Sequence, residues 1–133
     1  MILGTGIDLV DSIRIERLMS EHEARFMQKH FTVIEIEHVM SLKDEKARAL
    51  SLAKRFAAKE ACAKALGTGF RGGIHMCDIG VENDALGKPI LSLTNGALKR
   101  LEEMTAEGMS AHLHLSLTDE PPYAQAQVII EAL

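Results

Sequence analysis

Two carboxylates and a lysine stand in runs whose other residues are mostly apolar. Asp8 belongs to Ile2-Leu-Gly-Thr-Gly-Ile-Asp-Leu-Val10, and Glu60 and Lys64 belong to Lys54-Arg-Phe-Ala-Ala-Lys-Glu-Ala-Cys-Ala-Lys-Ala-Leu-Gly-Thr-Gly-Phe70. The second run is helical by composition, because Ala, Lys, Glu, Leu and Arg lose little conformational freedom in a helix. At 3.6 residues per turn, Ala49, Leu52, Ala53, Phe56, Ala57 and Ala63 form an apolar arc that also contains Glu60. A carboxylate so placed needs a cation, a metal ion or a proton. Lys64 can meet that need as an i,i+4 partner; the other reading is a functional carboxylate. The helix gives way at Gly67-Thr68-Gly69, where glycine permits a left-handed cap and close approach of backbone to a ligand. A basic helix ending in a glycine turn suits a phosphate-rich ligand.

The run holding Asp8 reads as a buried strand, with Ile2, Gly4, Gly6, Asp8 and Val10 on one face. Two positions without side chains beside an acid leave room for a ligand. The alternative for Asp8 is a strand-end carboxylate capping the next helix, a task for which Asp11 or Ser12 is better placed.

Further elements must position these groups. Helices are expected from Ser12 to about Ser20, over Glu23 to Lys29, and from Phe31-Thr32, where Thr32 and Glu35 have capping-box spacing. The long central helix should run from Lys43 to Leu66. A hairpin follows, with strands Ile79 to Asn83 and Ile90 to Leu93 around Asn83-Asp-Ala-Leu-Gly-Lys-Pro89. Asn95-Gly96 opens a helix with Leu98, Leu101 and Met104 at core spacing, ended by Gly108. Two strands close the chain, Ala111 to Thr118 and Ala124 to Glu131. On the first, Ala111, Leu113, Leu115 and Leu117 face one way, while His112, His114, Ser116 and Thr118 make a polar face that is either solvent surface or the wall of a site.

Composition narrows the function. A length of 133 residues gives one domain, 1–133, with a real core. No Trp, one Tyr and a net charge of −4 argue against a nucleic-acid platform. Residues 54 to 71 carry five basic side chains against the single acid Glu60, whereas residues 101 to 133 carry six acids and no Lys or Arg. Such a basic island fits an anionic small ligand or an acidic partner better than a membrane. Lys54, Arg55 and Lys59 also fit a solvated helix face. Cys62 and Cys77 lack zinc spacing and disulfide density, and no signal peptide or spanning segment is visible, so a cytoplasmic protein is expected.

The N-terminal Gly4-Thr-Gly-Ile-Asp-Leu-Val-Asp-Ser-Ile-Arg-Ile-Glu16, the segment Arg55-Phe-Ala-Ala-Lys-Glu-Ala61 with Lys64 and Gly67-Thr-Gly69, the turn Gly87-Lys-Pro89 and the closing His114-Leu-Ser-Leu-Thr118 together resemble the short holo-acyl-carrier-protein synthase family of 4′-phosphopantetheinyl transferases. The resemblance spans the chain in the family's order. It implies an α+β fold, an antiparallel sheet packed against a long central helix, forming a homotrimer with sites between subunits. It also implies a transferase of lipid metabolism that moves phosphopantetheine from coenzyme A to a serine of acyl carrier protein, as in fatty-acid synthesis. Asp8 and Glu60 would hold Mg2+ on the diphosphate, a role that suits an ion which prefers oxygen and uses few protein carboxylates. Lys64 would neutralise the leaving phosphate. Gly67, Thr68, Gly69, Lys88 and Pro89 would approach the nucleotide or its phosphates, and His114 would line the site. Glu60, Lys64 and His114 are then the catalytic candidates, with the general base being Glu60, a metal-bound water or a water held by Glu37. Arg14 and Arg25 would meet the acidic carrier protein. The alternative is a non-catalytic module that binds coenzyme A or an acidic protein. Two acids beside a diphosphate repel it unless a cation intervenes, so Asp8 and Glu60 together favour the enzyme. A phosphohydrolase would need more ligands than the chain offers.

Overall fold

Apolar periodicity and the turn residues between its runs produce five strands and four helices, and the computed structural model describes all of residues 1–133. In chain order they are β1 (Ile2–Asp11), α1 (Ser12–His30), α2 (Val33–Met40), α3 (Glu45–Ala65), β2 (Ile79–Asn83), β3 (Pro89–Leu93), α4 (Asn95–Met104), β4 (Ala111–Glu120) and β5 (Tyr123–Ala132). A 3-10 turn, Met76–Asp78, precedes β2. The α+β class is as expected. The strands, however, divide between a three-stranded sheet of order β1-β5-β4 and a separate β2-β3 hairpin, all antiparallel.

Local chemistry explains most boundaries. Asp11 caps α1 by accepting from the Ile13 N–H at 2.9 Å, which leaves Asp8 free for other work. The two helices expected over residues 12–29 form one run to His30, interrupted only at His22, whose backbone is not helical (φ −145°, ψ 45°). Thr32 and Glu35 form the expected capping box at the head of α2. Asp44 caps α3, so this helix begins at Glu45, two residues beyond the expected start. Its end is as expected: Gly67 has φ +78°, and the Gly67 and Gly69 N–H groups donate to Lys64 and Ala63 carbonyls at 3.0 and 3.1 Å. The fourth helix stops at Met104, well before Gly108, because Thr105 is extended and turns its hydroxyl back to the Leu101 carbonyl at 2.7 Å.

The alanines of α3 decide the packing. Ala53, Ala57, Ala58, Ala61, Ala63 and Ala65 are buried, and their small side chains let the helix backbone lie close to β1. A Cβ on Gly4 would strike the Ala65 carbonyl oxygen, and one on Gly6 the Ala61 carbonyl oxygen. The space beside Asp8 therefore holds helix backbone and not a ligand, which corrects the expectation of a vacant strand face. Val128, Ile130, Ala124, Ala126 and Leu115 from β5 and β4 complete this layer, and each buried large aliphatic side chain contributes about 1.5–3 kcal/mol.

Candidate functional site

The close seating of β1 on α3 brings Asp8 to Lys64. The Lys64 ammonium donates to Asp8 Oδ1 at 3.0 Å and to the Ile7 carbonyl at 2.8 Å. Lys64 therefore bridges to the strand instead of pairing with Glu60 one turn earlier on its own helix. Glu60 is half-buried and has no ion-pair partner. Its carboxyl is pushed above the ordinary carboxylate range, first by burial and then by the charge of Asp8, while Lys64 and Arg14 pull the other way. Two acids from distant elements, a lysine and an arginine thus share one electrostatic neighbourhood. Arg14 also lies 5.6 Å from the Phe56 ring centroid, so α1 contributes to this corner.

This arrangement can bind a divalent cation between two carboxylates and present it, with Lys64, to anionic oxygens. No group of three or more His, Cys, Asp or Glu side chains is positioned to hold a metal ion. A site offering only two carboxylates fits Mg2+, which completes its shell with phosphate oxygens and water, and does not fit a structural zinc.

Other predicted residues lie farther apart. Gly67, Thr68 and Gly69 form the turn that directly follows α3. Lys88 is exposed in the β2-β3 turn, its N–H bonded to Asp84 Oδ1 at 2.9 Å, and Pro89 begins β3. That turn is tied to the middle of α3, not to its end: Asn83 Nδ2 donates to the Gly87 carbonyl at 3.0 Å and Asn83 Oδ1 accepts from Arg55 at 3.4 Å. His114 pairs with Glu131 at 2.9 Å on the outer face of the sheet. The register fixes this, since His114 lies opposite Ile129, whereas Asp8 lies opposite the buried Ala126 on the face that meets α3. One chain does not bring His114 to Asp8. Arg25 is exposed on the second half of α1, beyond the break at His22, and Glu37 is exposed on α2.

Two basic residues read as solvated helix face are buried. Lys59 is 0 % exposed and pairs with Glu35, also 0 % exposed, at 2.6 Å. Arg55 is buried too, with its Nε unpaired while its terminal nitrogens reach Ser51 and Asn83. A signal for Lys59 is present in the sequence: it continues the apolar stripe Leu52, Phe56, Ala63 at spacings of four, three and four. A surface hollow of about 680 Å3 lies away from Asp8 and Glu60, between α1 and the first turns of α3. Glu16, Glu23, Glu45, Arg17 and Arg48 line it, so its charges largely offset one another.

A family model described as the 4′-phosphopantetheinyl transferase superfamily matches residues 4–118. A holo-[acyl-carrier-protein] synthase of Phenylobacterium zucineum is 58 % identical over 100 % of this chain and 94 % of its own length. Among solved structures, the holo-[acyl-carrier-protein] synthase of Neisseria meningitidis is 40 % identical, with a TM-score of 0.81 over 98 % of this chain and 99 % of that one. The Bacillus anthracis holo-(acyl-carrier-protein) synthase, solved in complex with CoA (3′,5′-ADP), is 35 % identical with a TM-score of 0.78, covering 98 % and 96 % of the two chains.

Proposed function

The chain belongs to the 4′-phosphopantetheinyl transferase superfamily, and we propose that it acts as its holo-[acyl-carrier-protein] synthase relatives do, as a single domain over residues 1–133. The phosphopantetheine arm of coenzyme A passes to a serine hydroxyl of apo acyl carrier protein, and adenosine 3′,5′-bisphosphate leaves. The serine oxygen forms a bond to the β-phosphorus, the bond from that phosphorus to the bridging oxygen breaks, and the serine proton goes to a base. The observation that carries this reading is the convergence of Asp8, Glu60 and Lys64 from β1 and α3.

Phosphoryl-type displacement depends on position and charge neutralisation more than on covalent help from the protein. Asp8 and Glu60 are the residues that would hold Mg2+, which when bound neutralises charge on the diphosphate. Lys64, held by Asp8 and the Ile7 carbonyl, is placed to offer its remaining donor capacity to the leaving phosphate. The general base is Glu60 or a water beside it; Glu37 on α2 belongs to neither the Asp8-Lys64 contact nor the charges acting on Glu60. Gly67, Thr68, Gly69, Lys88 and Pro89 are assigned to the nucleotide and its phosphates, with Arg55, whose buried Nε lacks a partner, beside the Lys88 turn. Arg14 and Arg25 on α1 are assigned to the acidic carrier protein.

We assign a homotrimer as the working form. Ile7 and Leu9 are 54 % and 61 % exposed on the outer sheet face, the face that also carries His114, so packing copies through it covers apolar surface and moves His114 toward a neighbour's site. The location is cytoplasmic, where carrier proteins and coenzyme A meet; no helix is long and apolar enough to cross a membrane. A binding module without chemistry would leave Asp8 and Glu60 repelling the anion that it binds.

The test is the intact mass of purified apo acyl carrier protein after incubation with this protein, coenzyme A and Mg2+. A gain of one phosphopantetheine, abolished by chelator and by Glu60→Ala, is the expected result. No gain across several carrier proteins, with coenzyme A still bound, would overturn the transferase reading.

A further inference from the structure

Helix α3 is gripped from two sides. On one side its backbone rests on Gly4 and Gly6 of β1, and this contact sets Lys64 on Asp8. On the other side the Lys59 ammonium enters a fully enclosed site. It donates to Glu35 Oε1 at 2.6 Å, to the Met76 carbonyl at 3.1 Å and to the Ile79 carbonyl, and it lies 5.3 Å from the Phe31 ring centroid. Glu35 in turn accepts from the Thr32 N–H at 2.9 Å and, through its other oxygen, from the Val81 N–H at 3.2 Å. One buried ion pair therefore joins α2, α3, the 3-10 turn and the first residues of β2.

Such a pair is an inefficient way to gain stability. Desolvating two charges offsets most of their attraction, and a well-packed apolar pair of similar volume is often at least as stable. What the ion pair supplies is direction: every donor of the ammonium and both carboxylate oxygens are engaged, so α3 has one rotation and one height relative to β2. Lys59 is the residue before Glu60, and successive helical side chains point about 100° apart. With Lys59 directed to the hairpin, Glu60 is directed to Asp8.

We propose that Lys59 and Glu35 are positioning residues for the transfer reaction, holding the Glu60 turn of α3 in register with the β2-β3 hairpin that carries Lys88. The inference rests on the transferase reading above and deepens it. Neither residue touches the reacting groups; both act through Glu60 and the hairpin.

The decisive variant is the pair Lys59→Met with Glu35→Leu, which removes the charges together and leaves neither buried alone. Its melting temperature should stay close to that of the parent. Its kcat should fall on the order of a hundredfold, because misplacement by about 1 Å far from the chemistry has that effect, and the dissociation constant of coenzyme A measured by calorimetry should rise. The KM for apo carrier protein should be unchanged. Amides of residues 79–93 should exchange with deuterium faster than in the parent. Glu35→Gln, which keeps an oxygen for Lys59, should fall between parent and double variant in kcat. A folded double variant with parental kcat and coenzyme A affinity overturns the proposal, as does a kcat loss that matches the unfolded fraction. If the double variant does not fold, Glu35→Gln decides, and a parental kcat in the folded protein overturns it. If the parent protein itself transfers nothing, the transferase reading fails, and unchanged exchange over residues 79–93 in the double variant would then remove the positioning role as well.

Discussion

Ionising Glu60 places a second negative charge beside Asp8 in a half-buried corner, and both burial and Asp8 oppose it. The folded state therefore binds the Glu60 proton more tightly than the unfolded chain does. The stability linked to this group is full below the ordinary value of 4.5 and is lost as pH rises through the raised value of the folded protein. We predict that the metal-free protein loses stability over that interval and that Glu60→Gln does not, which urea unfolding as a function of pH will show. In Asp8→Asn the Glu60 carboxyl, followed by carbon NMR, should titrate closer to 4.5, because the second cause of the shift has gone; an unmoved titration would show that Asp8 does not act on it. Lys64 acts at the same corner with the opposite sign. Lys64→Ala should lower kcat by about 10²–10³, the usual effect of deleting a group that stabilises developing charge. Because Lys64 is half-exposed and its bond to Asp8 is a surface one, the melting temperature should scarcely change. A variant with parental kcat would exclude Lys64 from the chemistry.

The pair of elements that matters most is β1 on α3, and its closeness depends on the absence of two side chains. Gly6→Ala would push a methyl group into the Ala61 carbonyl, so strand and helix must separate. We predict a loss of about 1–3 kcal/mol, the range for overpacked cores, together with a higher Mg2+ concentration for half-maximal activity, since Asp8 and Glu60 ride on the two separating elements. Chemical denaturation and a metal titration check both. This contact also shows what could be read before the fold was known. The strand, the long helix, its Gly67 cap, the Thr32–Glu35 box and the hairpin all announce themselves in local periodicity and turn chemistry, because those signals are carried by neighbouring residues. The pairing of Lys59 with Glu35 and the contact of Lys64 with Asp8 do not, because their partners are 24 and 56 residues away. The apolar stripe shows that Lys59 points inward, but not which carboxylate meets it. Beside Asp8 the two glycines suggest room for a ligand, but helix α3 fills that room.

At the scale of the whole molecule, the sheet divides the proposed machinery. Asp8, Glu60 and Lys64 lie on the α3 side, while His114 lies on the outer face with Ile7, Leu9 and Ile129. The sheet itself separates the two, so side-chain motion within one chain does not unite them. If His114 works on coenzyme A bound at Asp8 and Glu60, it must come from another copy, and the exposed apolar residues around it supply the surface through which that copy would pack. Two measurements follow from the same geometry. Ile7→Glu with Leu9→Lys should give a monomer by light scattering and remove activity, although neither side chain is near Glu60. More tellingly, Glu60→Gln and His114→Ala, each inactive alone, should complement when unfolded and refolded together. With random assembly about a quarter of the sites would take Glu60 from one variant and His114 from the other. A mixture that stays inactive, while scattering shows mixed oligomers, would mean that both residues serve one site from one chain; a His114→Ala protein active by itself would mean that His114 has no part in it. Recovery near a quarter would place each site across a subunit boundary and explain why a chain this short needs copies of itself.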